Sequence, residues 1–333
     1  MTSPGAISPA SRRSGVTAVH SVGRVVFSVP DIEPAEKFYT AFGLNVKRTG
    51  QRLDLYTQGH EHCWMSVVAN GQPKALQYVS FGIFAEDENT FQQKIQALGI
   101  ACAPHPLSSG DGLWLRSPDG MPMQLLVADK VSPSGKTPWN PARPPARSDA
   151  AAQARSQCPK VFPRWLSHVL LFTPDVARML RFCDDVLGLR LSDRSGDLVA
   201  FMHTPHGSDH HLLAFVKSSH PGLHHTSWDV GSLDEVGEGS EQMRTAGYVE
   251  GWGVGRHVLG SNYFYYARDP WGSFAEYSFD IDFVSPATDW VAGDYAPEDS
   301  FYLWGPAVPD WFVANAELPA LPELPAVEAR QAR

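Results

Sequence analysis

Cysteine is scarce and scattered in this sequence. Cys63, Cys102, Cys158 and Cys183 are the four in 333 residues, and no two stand at CxxC spacing. That argues against a disulfide framework or a structural zinc site and fits a reducing, cytoplasmic setting. Basic blocks are missing too: the net charge of −9 is spread along the chain. Neither nucleic acid nor an anionic membrane surface is therefore an expected partner. No run of 18 apolar residues occurs, and the opening MTSPGAISPASRRSGV has no apolar stretch of the kind that directs export. The expectation is a chain that neither spans a membrane nor is secreted.

What is present is a globular composition, 43% hydrophobic and 19% charged, enough for one large domain or two ordinary ones. The stretch SPSGKTPWNPARPPARSDAAAQARSQCPK, 132–160, has the Pro, Ala, Ser and Arg content of a linker. It separates two modules, 19–131 and 161–285, preceded by a flexible arm at 1–18. An extension rich in aromatics and prolines, 286–333, follows, able to wrap a cavity mouth, a subunit contact or the exterior, with a loose tail at its end.

The two modules repeat one another. VGRVVFSVPDIEPAEKFYTAFGL, from Val22, lines up with LSHVLLFTPDVARMLRFCDDVLGL, from Leu166, with one gap. Each reads as an apolar strand, a helix opened by Pro-Asp, and a Gly stop. Asp31 and Asp175 can cap the helix starts, and Gly43 and Gly188 can take the left-handed conformation after the ends. Val176, Leu180, Cys183 and Leu187 recur at helical spacing as one apolar stripe. The unit begins again at LQYVSFGIFAEDENTFQQKIQALG and LHHTSWDVGSLDEVGEGSEQMRTAG. The expected class is α+β: two modules, each of two βαβββ repeats that form an open, barrel-like curved mixed sheet around a cavity.

Three residues within apolar strands could act on a metal. His168 in LSHVLLF shares a face with Leu170 and Phe172, and taken alone it reads as a satisfied core histidine. In GLHHTSWDV, strict alternation sends His224 and His225 to opposite faces, and the repeat aligns His225 with His168. Glu276 in SFAEYSF would be costly to bury without a cation, the alternative being a salt bridge to Arg256 or Arg268. Two histidines and a carboxylate leave open positions on a metal, as in non-haem Fe(II) oxygenases. The aligned positions in the first module are Arg24, Tyr78 and Gln124, not an iron set. His203, His206 and His220 read as loop or strand-end residues.

The stretch GVGRHVLGSNYFYYARDPWGSFAEYSFD, Gly253 to Asp280, joins Gly-Arg-His, an aromatic strand, Asp-Pro-x-Gly and a Glu six residues after the Pro. With the repeat pattern it resembles the vicinal oxygen chelate (glyoxalase/bleomycin resistance/dioxygenase) superfamily, and within it the two-module type I extradiol ring-cleavage dioxygenases, over roughly 20–285. The resemblance implies that His168, His225 and Glu276 are metal ligands for Fe(II), with Mn(II) as the alternative. It implies that His211, fourteen residues before His225, is the active-site acid/base, and that His257 and Tyr266 hydrogen-bond the substrate. His210 is expected on the opposite side of the strand. Read singly, His211 would be a surface histidine and Tyr266 a core aromatic, and Arg256 could orient a carboxylate or support its loop. The implied activity is meta cleavage of a catecholic aromatic by O2 in aromatic-compound degradation, without an organic cofactor, by a homo-oligomer. A metal-dependent glyoxalase-like isomerase or lyase and a non-catalytic small-aromatic binding protein of the same superfamily remain as alternatives; neither would consume oxygen.

Overall fold

The computed structural model describes residues 10–138 and 154–317. The expected loose tail, and parts of the expected arm and linker, lie outside the described residues. The first half runs β1 (Ser21–Val29), α1 (Ile32–Ala41), β2 (Asn45–Thr49), β3 (Arg52–Tyr56), β4 (Met65–Ala69), β5 (Ala75–Ile83), α2 (Glu88–Ala97), β6 (Leu113–Arg116) and β7 (Pro122–Val127). These strands form one sheet in the order β2-β3-β4-β1-β5-β7-β6. The second half runs β8 (Leu166–Thr173), α3 (Val176–Phe182), β9 (Arg190–Ser195), β10 (Val199–His203), β11 (Ser208–Asp209), β12 (Leu213–Lys217), β13 (Gly222–Asp229) and α4 (Leu233–Thr245). It continues through β14 (Gly251–His257), β15 (Tyr263–Arg268), β16 (Phe274–Phe279), β17 (Phe283–Val284), β18 (Gly293–Asp294), α5 (Pro297–Ser300) and β19 (Tyr302–Trp304). Its larger sheet has the order β18-β9-β10-β12-β8-β13-β16-β15-β14-β19, and β11 pairs with β17 apart from it.

The same pairing logic builds both large sheets. The first strand of each repeat runs parallel to that repeat's last strand and antiparallel to its partner repeat's first strand: β1 with β4 and β5, β8 with β12 and β13. The repeats thus meet at the middle of the sheet. As a consequence β8, β13 and β16, which carry His168, His225 and Glu276, are consecutive neighbours. Residues far apart in sequence are brought onto three adjoining strands by topology alone.

Helix ends follow local chemistry. The side chains of Asp31 and Asp175 accept from the N–H groups of Glu33 and Arg178, and Gly43 and Gly188 are left-handed at φ 94° and 73°. Two expectations change. After α3 the chain makes a π-helical turn, Cys183–Leu187, and the buried face runs through Val176, Met179, Phe182, Cys183, Val186 and Leu187. Leu180 is only partly buried, because within the regular part of the helix the buried face runs along Val176, Met179 and Phe182. After α2 the expected three strands become two, with an isolated bridge between Ala101 and Leu115 in place of the first.

One core spans both sheets. Phe42 and Tyr277 stack with ring centroids 4.0 Å apart, and the Tyr277 hydroxyl donates to the Phe42 carbonyl at 2.8 Å. Such aromatic pairs contribute about 0.5–1.5 kcal/mol beyond the area they bury, and this one seats β16 against the first half. β18 and β19 pair with β9 and β14, so the extension lines both edges of the larger sheet. Among the described residues, no helix is long and apolar enough to cross a membrane.

Candidate active site

The start of β13 departs from regular pleating. Leu223 stands opposite Leu171 and His225 opposite Leu170, which leaves His224 as an extra, bulged residue. A bulge breaks strict alternation. The expected separation of His224 and His225 onto opposite faces therefore does not hold: both line the same cavity.

His168, His225 and Glu276 are 2%, 3% and 0% exposed. Their ligand atoms lie within 4.8 Å of one another, the only such group of His, Cys, Asp or Glu among the described residues. Glu276 Oε2 is 3.3 Å from His168 Nε2 and 3.6 Å from His225 Nε2. Hydrogen-bond partners assign what each atom offers. Ser167 Oγ donates to Asp209 at 2.7 Å, so it accepts from His168 Nδ1 at 3.2 Å, and His168 Nε2 is left with a lone pair.

The second histidine is set the same way. The Phe312 carbonyl can only accept, so His224 Nε2 donates to it at 2.9 Å. Burial lowers the His224 pKa to about 4, which makes its Nδ1 an acceptor. His225 Nδ1 then donates to it across 2.7 Å, and His225 Nε2 is bare. Glu276 Oε1 accepts from the Asn262 amide at 3.1 Å. His225 Nε2 and Glu276 Oε2 have no hydrogen-bond partner. A buried acceptor left unsatisfied costs about 1–3 kcal/mol, and here such acceptors converge on one point; a cation at that point would satisfy them together.

Around the triad lie the other expected residues. His211 follows β11 and precedes β12, and is 3% exposed rather than at the surface. Its ring sits 4.0 Å from that of His168. Burial first, and neighbouring imidazoles second, push its pKa well down. Its Nδ1 meets His210 Nδ1 at 3.0 Å, and His210 Nε2 meets Asp193 at 2.7 Å. His257 Nδ1 donates to the Phe301 carbonyl at 2.9 Å, and burial keeps the ring neutral, so His257 Nε2 accepts from the Tyr266 hydroxyl at 2.9 Å. Burial, then the Glu276 carboxylate, raises the Tyr266 pKa well above the usual value, and the phenol keeps its proton.

The structure brings all six expected site residues together. Glu276 pairs with neither Arg256 nor Arg268: Arg268 binds Glu250 at 2.7 Å, while Arg256 donates to the Ser261 carbonyl and the Tyr263 hydroxyl and so braces its loop. His203, His206 and His220 hydrogen-bond elsewhere, to Ser192, the Arg13 amide and the Glu317 carbonyl. Sequence reasoning missed Asn262, the support that His224 gives His225, and the contribution of the extension. A lone amide amid the aromatics of SNYFYY was the available sign of Asn262. The carbonyls of Phe301 and Phe312 carry no sequence signal.

Comparison with known proteins gives the chain a family. Residues 165–277 match the model of the Glyoxalase/Bleomycin resistance protein/Dioxygenase superfamily. The chain is 50% identical over 301 residues to metapyrocatechase 2 of Cupriavidus necator, covering 90% of this chain and 93% of that one. In fold it is similar to an Mn(II)-bound glyoxalase from Novosphingobium aromaticivorans (TM-score 0.70, 24% identity, 89% of this chain and 94% of that one). It is likewise similar to a variant of homoprotocatechuate 2,3-dioxygenase from Brevibacterium fuscum (TM-score 0.69, 19% identity, 92% and 83%). Taken with the full-length kinship to a metapyrocatechase, the chain belongs to the extradiol ring-cleavage dioxygenases of the glyoxalase/bleomycin resistance/dioxygenase superfamily, a metal-dependent family of enzymes.

Proposed function

We propose that His168, His225 and Glu276 hold one Fe(II) ion, and that the protein uses it with O2 to open the ring of a catechol beside its diol. The observation that carries this reading is the convergence of two imidazole lone pairs and a carboxylate oxygen on one buried point, two of the three atoms with no hydrogen-bond partner. Three protein ligands of this kind suit Fe(II), and Mn(II) accepts the same set. The ion, when bound, supplies Lewis-acid activation of the diol and a place for oxygen to react.

The residues around it handle protons. Tyr266, hydrogen-bonded to His257, packs against His225, and His211 packs against His168. With Nδ1 protonated, His211 Nε2 can take a proton from a substrate hydroxyl. Its Nδ1 proton can then pass to His210, whose positive charge would lie against the Asp193 carboxylate. Returning the proton by the same route makes His211 Nε2 a donor at the ring-opening stage. A histidine shielded from solvent and linked to a second imidazole suits both roles.

The cavity, about 230 Å³, is walled by Leu170, Val216, Leu259, Phe301, Phe312 and Val313 in addition to the polar residues. That is small for a ligand pocket and supports a monocyclic catechol. The same reading includes assembly as a homo-oligomer, in keeping with the outward-facing Val291, Leu303 and Trp304 of the extension.

Paired variants test the roles. Glu276→Ala should lose bound metal, read by elemental analysis of the purified protein. His211→Ala should keep it while turnover falls roughly 10²- to 10⁴-fold. Full metal and normal turnover in both would refute the assignments.

A further inference from the structure

The first half of the fold has a cavity of its own at the positions where the second half gathers its three acceptors. It measures about 360 Å³, and its lining includes Arg24, Tyr78 and Gln124, the residues aligned with His168, His225 and Glu276. No carboxylate lines it, whereas two guanidinium groups do, those of Arg24 and Arg52. Arg52 is already committed, to Asp54 at 2.9 Å, to Ser66 and to the Leu107 carbonyl. Arg24 is not: its Nε donates to the Cys63 carbonyl at 3.2 Å, and its two terminal nitrogens make no hydrogen bond among the described residues.

A second group points the same way. Tyr78 lines the cavity, and its hydroxyl has no hydrogen-bond partner among the described residues, so its proton is free for a ligand there. His62 Nε2 donates to the Gly23 carbonyl at 2.6 Å, and burial lowers its pKa, so its ring adds no charge at neutral pH. Gln124 donates to the Asp111 carbonyl at 2.9 Å. The lining therefore combines an uncommitted guanidinium, an unpartnered phenol and the apolar side chains of Phe81, Leu107 and Leu126. Where the second half has acceptors that call for a cation, the first half has donors that call for an anion.

We propose that this cavity is a second ligand site, for a small aromatic carboxylate. The two terminal nitrogens of Arg24 would grip the carboxylate as a fork, the geometry in which guanidinium outperforms ammonium. Tyr78 would donate a further hydrogen bond, and the ring would lie against the leucines. The site shares no lining residue with the catalytic cavity, so it stands apart from the proposal above.

Benzoate is the probe, titrated calorimetrically into the metal-loaded full-length protein and its Arg24→Gln and Arg24→Lys variants. Benzoate held by the metal would be indifferent to Arg24, so the Arg24-dependent component is the one that counts. The parent should bind benzoate saturably, R24Q roughly tenfold or more weakly, and R24K in between, with catechol turnover equal in all three. Absence of saturable binding, or one affinity shared by parent and R24Q, would overturn the site. Should R24Q also lose turnover, R24K decides: weaker binding with normal turnover upholds the site, and unchanged binding overturns it.

Discussion

The proton of His225 is placed by its neighbour. The Phe312 carbonyl fixes the proton of His224, His224 fixes that of His225, and the nitrogen left bare is the one facing Glu276. Partners of this kind set the tautomer and orientation of a metal-binding imidazole, and their loss typically costs 10- to 100-fold in metal affinity. His224→Phe preserves bulk and removes the acceptor, so it should weaken Fe(II) or Mn(II) binding by about that factor in a chelator competition. Equal metal affinity would show that the His224 contact is incidental. Asn262 anchors the other oxygen of Glu276 and directs Oε2 toward the histidines in the same manner.

Strands and helices tell a more uneven story. The repeat, the helix caps and the signature around Glu276 could be read in advance, because each depends on residues close together in sequence. The bulge at His224 could not, since it arises from how β13 settles against β8. Nor could the two carbonyls of the extension, because Phe301 lies 44 residues from His257 and Phe312 lies 88 from His224, and any residue can supply a carbonyl. Close approach between strands gives a direct test of the sheet joining the repeats. On β5 a Cβ at Gly82 would stand 2.4 Å from His20 Cε1, and that ring is held by contacts with Ser21 and the Ala128 carbonyl. Gly82→Ala should thus destabilise the protein by about 1–3 kcal/mol in urea unfolding; no change in midpoint would mean that the ring moves aside freely.

Both halves fold around a common core, so groups in either should govern the stability of the whole. His20 in the first half and His203 in the second each have their pKa lowered to about 4, mainly by burial. The unfolded chain takes up these protons near pH 6.5, whereas the folded protein resists until near pH 4. Stability is thus fully present above 6.5 and is lost as pH falls from 6.5 toward 4. Between pH 7 and 5 stability should drop by on the order of 1 kcal/mol for each histidine, read as a lower unfolding temperature, and His20→Gln should show a smaller drop than the parent. An equal drop would place the acid sensitivity elsewhere.

The proposed activity is a single metal-dependent reaction in the second half of the molecule. Oxygen consumption by the Fe(II)-loaded protein, followed together with product absorbance on adding a monocyclic catechol, tests it most directly. One O2 should disappear per catechol, a yellow ring-opened semialdehyde should form, and both should vanish in Glu276→Ala. No oxygen uptake with any catechol, or a colourless product opened between the two hydroxyls, would contradict it.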